Sequence, residues 1–110
     1  MTIWQVSVIV IIEIMDDIIF STPNTDGWTK EEFLGFVSDS RADLVRWIGK
    51  NLPNKAVVYC SSIIKDLNKI EELMKTRLSK RVHRKASALV SYVNIEFAAA
   101  MISILEDRQN

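Results

Sequence analysis

Apolar residues in this chain recur mostly three and four positions apart, the spacing that lines one side of an α-helix. In one segment Phe33, Phe36, Val37, Leu44, Trp47 and Ile48 follow that rule, with Ser40 as a polar interruption. Thr29 followed three positions later by Glu32 has the form of a capping box. Together they predict a helix over residues 28–50, weakened at Gly35 by about 1 kcal/mol against alanine. A second stripe runs through Ala56, Cys60, Ile63, Leu67, Ile70, Met74 and Leu78, and Pro53 suits the first turn beneath it. A third runs through Ala86, Leu89, Val90, Val93, Phe97, Ala100, Met101 and Ile104. This last segment also carries Tyr92, Ile95, Ala98, Ala99 and Ile102 on other faces, and Glu96 is its only charge between Ala86 and Leu105. A helix apolar nearly all round is central in a bundle or covered by a second copy.

Two places admit more than one reading. Residues 75–85 contain neither Gly nor Pro, so the second and third stripes can be joined through Met74, Leu78, Val82, Ala86 and Leu89. One reading is a hairpin turning near Ser79 to Val82; the other is a single helix over residues 53–107, of about 50 residues, which would need a partner chain to cover it. The first twenty residues are the second place. Val6, Val8, Val10, Ile12 and Ile14 alternate with Ser7 and Glu13, as in a strand. Wound as a helix over residues 3–20, the same segment gathers Thr2, Gln5, Glu13, Asp16 and Asp17 within about 120° on one side. A strand there would need a partner, and only "AVVYC" at residues 56–60 offers one.

The 110 residues fit one domain, with 48% hydrophobic and 25% charged. Three glycines and two prolines favour a few long elements, and the clear breaks are "STPNTDG" at residues 21–27 and "NLPN" at residues 51–54. The expected fold is therefore all-α, a four-helix bundle-like domain that pairs into a dimer. The alternative is a small α+β domain with strands at residues 3–14 and 56–60. The opening segment lacks a basic stretch and a small-residue cleavage site, and Glu13, Asp16 and Asp17 interrupt it short of about 18 apolar residues. No membrane role and a cytoplasmic location are the expectation, in keeping with a single cysteine.

The formal net charge of zero hides a polar chain. Residues 1–40 hold seven acids and one base, and residues 41–110 hold thirteen bases and seven acids. The strongest concentration is "KTRLSKRVHRK" at residues 75–85, with Lys75, Arg77, Lys80, Arg81, Arg84 and Lys85, the only histidine, and no acid. If the chain turns here, Lys75 and Arg77 suit the negative end of one helix, while Arg84 and Lys85 burden the positive end of the next by about 0.3–1 kcal/mol each. These six cations could steer an acidic protein partner or contact nucleic-acid phosphates without reading sequence. No aromatic is interleaved among them for base stacking.

Chemistry has few candidates. One Cys and one His cannot make the usual zinc site, and no metal, cofactor or small-molecule site is evident from the sequence. Glu71–Glu72 and Asp16–Asp17 are adjacent carboxylates, which do not share a helix face. Cys60 lies on an apolar stripe as a buried thiol would. Arg77 followed six residues later by His83, near the junction of the last two helices, is similar to the ribonuclease motif of the HEPN family. The resemblance covers these residues and the general architecture, and it departs at Leu78, where the family prefers a polar residue. It implies metal-independent RNA cleavage in a dimer cleft, with His83 as acid–base and Arg77 on the phosphate.

The leading expectation is non-catalytic. A helical interaction or regulatory protein would bind a macromolecular partner through apolar helix faces and the basic stretch, self-associating through Tyr92, Ile95, Ala99 and Ile102. Nucleic-acid binding is the alternative, and RNA cleavage by Arg77 and His83 the third.

Overall fold

The computed structural model describes residues 23–48 and 51–107. They form three α-helices: α1, Lys30–Ile48; α2, Asn54–Leu73; and α3, Lys80–Asp107. The segment over residues 3–20, expected as a fourth helix or, over residues 3–14, as a strand, lies outside the described residues. So does Lys50.

α1 begins where its cap stands. The Glu32 amide donates to the Thr29 hydroxyl at 3.2 Å, and the Thr29 amide donates back to the Glu32 carboxylate at 3.4 Å. The preceding turn has the Trp28 amide donating to the Thr25 carbonyl at 3.1 Å, with Gly27 at φ 74°. A turn of this kind places its third residue in the left-handed region, where only glycine lacks the steric penalty. Asn24 adds an acceptor for the Asp26 amide at 3.0 Å.

α2 overturns the α+β alternative. Residues 56–60 are helical, with Ala56 and Cys60 buried at 0% and 4% exposure in register with the rest of the stripe. Val57, Val58 and Tyr59 between them are exposed. The β-branched pair therefore occupies the outer side of a helix, where the four-residue step from Ala56 to Cys60 outweighs their strand preference.

The single long helix is overturned as well. α2 stops at Leu73 without glycine or proline. The Leu73 carbonyl accepts both the Thr76 amide at 3.1 Å and the Thr76 hydroxyl at 2.7 Å. Six residues on, the Ser79 hydroxyl accepts the Val82 amide at 3.2 Å and the Ser79 carbonyl accepts the His83 amide at 2.8 Å, so Ser79 caps α3. Two hydroxyl side chains thus satisfy backbone groups that the continuous helix would have paired internally.

α2 packs against both other helices, most extensively against α3. Ile63, Leu67 and Ile70 are fully buried and meet Phe33, Val37 and Leu44 from α1 and Ala86, Val90 and Val93 from α3 in one core. Burial of each large side chain contributes about 1.5–3 kcal/mol. Leu78 is half-buried against this core from the connection, beyond the helix in which its stripe placed it. Aromatic edges tie α1 to α3 at two levels: Phe33 against His83 at 5.2 Å and Trp47 against Phe97 at 5.3 Å between ring centres. Arg41 spans from α1 to Glu71 at 2.6 Å and Asn68 at 2.9 Å on α2. The guanidinium beside it holds the Glu71 carboxyl below its ordinary value. α3 is long and apolar enough by length and composition to cross a membrane, a test that a core helix also passes. Its Ala86, Val90, Val93 and Ala100 are wholly buried in the bundle, and 28% of the apolar stretch is buried in all.

Ile70→Ala should cost about 2–5 kcal/mol in urea unfolding, the usual range for a core truncation. Ile64→Ala, on the exposed side of the same helix, should change stability by only about 0.5 kcal/mol. Ser79→Ala should cost about 1 kcal/mol and raise hydrogen exchange at the Val82 amide first.

Candidate functional site

The basic stretch lies across the turn that joins α2 to α3. Lys75 follows the end of α2, where its ammonium meets Glu72 at 2.7 Å. Arg77 is exposed in the connection. Lys80, Arg81, Arg84 and Lys85 occupy the first two turns of α3, which has no acid in its first turn. All four are exposed, and among the described residues no ion pair engages them or Arg77. Cations thus crowd the positive end of the helix dipole, where Lys80 and Arg81 carry the largest penalty.

A groove of about 590 Å³ opens beside this end of α3, between it and the turn at Thr25 and Gly27. Lys80, His83, Arg84 and Ser87 line one wall, and Thr25 and Asp26 the other. The walls are joined by the Thr25 hydroxyl, which donates to Ser87 Oγ at 2.7 Å. His83 Nδ1 is 3.4 Å from the same Ser87 oxygen. The other face of the histidine belongs to the core. Its ring stands edge-on to Phe33, and Nε2 is buried without a hydrogen-bond partner. Arg77 does not line this groove. The two residues of the HEPN-like motif are therefore not brought to one cleft within the chain, and one of the histidine's two nitrogens is closed to solvent. His83 stands three residues before Ala86 and seven before Val90, the register of a core position, a signal in the sequence that its chemistry obscured.

A second groove, about 730 Å³, runs between α2 and α3. Leu73, Ala88, Leu89 and Tyr92 give it an apolar lining, and Lys65, Lys69 and Lys85 stand on its margins. Sequence reasoning missed it because its residues come from the flanks of two stripes. The helical period puts Tyr92, Ile95, Ala99 and Ile102 on one outer side of α3. Tyr92 and Ile95 are 56% and 58% exposed, while Ala99 and Ile102 are half-buried.

Glu96 has a partner the sequence did not disclose. It lies beside Asp66 on α2, whose carboxylate favours the protonated form of Glu96. Glu96 Oε2 is buried with no hydrogen-bond partner. Burial first, then the neighbouring Asp66 carboxylate, push Glu96 up to about 8, against a smaller opposing pull from Lys69. Lys69 Nζ lies 3.8 Å from the Asp66 carboxylate. Cys60 is buried, and burial raises its thiol away from the reactive thiolate. Among the described residues no group of three His, Cys, Asp or Glu is placed to hold a metal.

The pH dependence follows from Glu96. The folded chain keeps a proton that the unfolded chain releases near 4.5, so this contribution to stability is complete below that value. It is lost as pH rises through about 8. Urea midpoints should fall across that interval, and Glu96→Gln should flatten the decline and raise the midpoint at pH 8. In comparisons with family models, curated proteins and solved structures, nothing matches this chain.

Proposed function

We propose that the chain is a non-catalytic helical interaction protein that binds a macromolecular partner through apolar helix faces, with the basic stretch steering an acidic surface toward them. The observation that carries this reading is the placement of both features on α3. Lys80, Arg81, Arg84 and Lys85 are exposed on its first turns, and Tyr92 and Ile95 are exposed two turns further on. Charges left outside ion pairs at the unfavourable end of a helix lower stability, and steering of a partner is a gain that offsets that loss. Large exposed apolar side chains beside them supply the contact area on which affinity depends.

Residues 3–20 form a fourth helix in this reading, and two copies pair through Tyr92, Ile95, Ala99 and Ile102. A two-fold pairing would bring equivalent basic turns into one assembly and make a broader positive surface. Phosphate-backbone binding is the second reading, supported by the same cluster of exposed cations. Against it stands the absence of any aromatic among residues 75–85 apart from the half-buried His83. RNA cleavage has less support, because His83 Nε2 is enclosed and Arg77 lies outside the groove that His83 lines.

Sedimentation should show a dimer that Ile95→Lys converts to a monomer with unchanged helical dichroism. Against a generic single-stranded RNA, affinity should be weak and its salt slope shallow. A slope corresponding to several phosphate contacts, about −0.7 per contact, and lost on Arg81→Glu with Arg84→Glu, would move the assignment to nucleic acid.

A further inference from the structure

One side of α3 that the core does not use carries a continuous seam. Arg81, Lys85, Ala88, Tyr92, Ile95, Ala99, Ile102 and Glu106 follow one another at alternating steps of four and three, the spacing of a coiled-coil contact. None of them is fully buried: Ala99 and Ile102 are half-buried, and the other six are exposed. The helical period sets them on a different side from the buried Ala86, Val90, Val93 and Ala100. The seam runs from the first turn of the helix to its last.

This seam is complementary to itself in one direction. Laid antiparallel on a second copy, with the two-fold axis between positions 93 and 94, it gives every position a suitable mate. Ala88 meets the partner's Ala99, which lets the axes approach to about 8 Å, the short end of helix packing. Tyr92 meets the partner's Ile95. The stem of Lys85 lies over the partner's Ile102. Arg81 meets the partner's Glu106. Symmetry repeats each pairing. Among the described residues no ion pair engages Arg81, Lys85 or Glu106, so these charges are available for the contact. Laid parallel, the same seam would set each of these charges against its own equivalent, and like would meet like.

We infer that α3 pairs with α3 of a second copy, antiparallel and centred between positions 93 and 94, with Arg81 of each chain against Glu106 of the other. The inference rests on the self-association reading above and adds its direction and register. It also divides the basic stretch. Arg81 and Lys85 belong to the pairing, whereas Lys80 and Arg84 lie outside the seam and are left to an acidic partner. Lys85, Ala88 and Tyr92 also line the α2–α3 groove, so the second α3 covers one edge of it.

The test uses the full chain. Ala88→Cys and Ala99→Cys chains, mixed and oxidised with copper phenanthroline, should link into a heterodimer. Neither should link to itself, because equivalent positions stand about 16 Å apart along the axis. Cys60 is buried and should not compete. By sedimentation, Arg81→Glu should weaken dimerisation about tenfold, since both symmetric pairs become like-charged. Adding Glu106→Arg should restore it. Both changes suit the helix dipole, so a lost dimer would not reflect a lost fold. Linking of Ala88→Cys to itself would make the pairing parallel and overturn the inference. A dimer without the mixed link, or without recovery on charge exchange, would overturn it and leave self-association standing. A monomeric parent chain would overturn both.

Discussion

The packing of the Ile63, Leu67 and Ile70 side of α2 is the constraint on which the other elements depend. All three side chains are fully buried, and both neighbouring helices meet them. α1 and α3 close over this strip, and aromatic edges from Phe33 and Trp47 tie the two outer helices across it. The hairpin follows from the same need. A continuous rod over residues 53–107 would have left the α2 and α3 stripes facing one way with nothing in the chain to cover them. Folding at residues 74–79 lets each become the other's cover, at the cost of two helix ends that Thr76 and Ser79 satisfy.

Much of this was legible because it is local. Ala56, Cys60, Ile63, Leu67, Ile70 and Met74 form a stripe in the sequence, and all six are buried. Thr29 and Glu32 announced a capping box, and both bonds are present. The end of α2 was harder to read, since Gly and Pro are the familiar punctuation and neither occurs. Its signal lay in the hydroxyls of Thr76 and Ser79, which compete for backbone groups more quietly. The candidate site was less legible because it depends on pairs distant in sequence. Asp66 and Glu96 stand thirty residues apart, and only the packing of α2 on α3 joins them. A lone acid in an apolar helix was the visible half of that pair. The α2–α3 groove likewise mixes residues from two helices that no single period links.

The distribution of charge connects fold and proposed function. Along the chain it changes sign near residue 40, and along α3 it changes from cationic first turns to an apolar middle. Neither gradient improves the packing of the core, and the cationic turns oppose the helix dipole. A feature that subtracts from folding stability and persists on an exposed helix end is better explained by what it meets than by what it holds together. Glu96 beside Asp66 is the opposite case, where burial and a neighbouring carboxylate favour the uncharged form.

The connection between α2 and α3 carries one more implication. Because its reversal rests on two side-chain hydroxyls instead of a residue with a special backbone preference, nothing in the local covalent structure forbids it from straightening. A straightened chain would present its α3 to another molecule's α2 with the contacts between the two helices still available. Exchange of the final helix between copies is thus a topology this sequence does little to prevent, and crowding during synthesis or refolding would favour it.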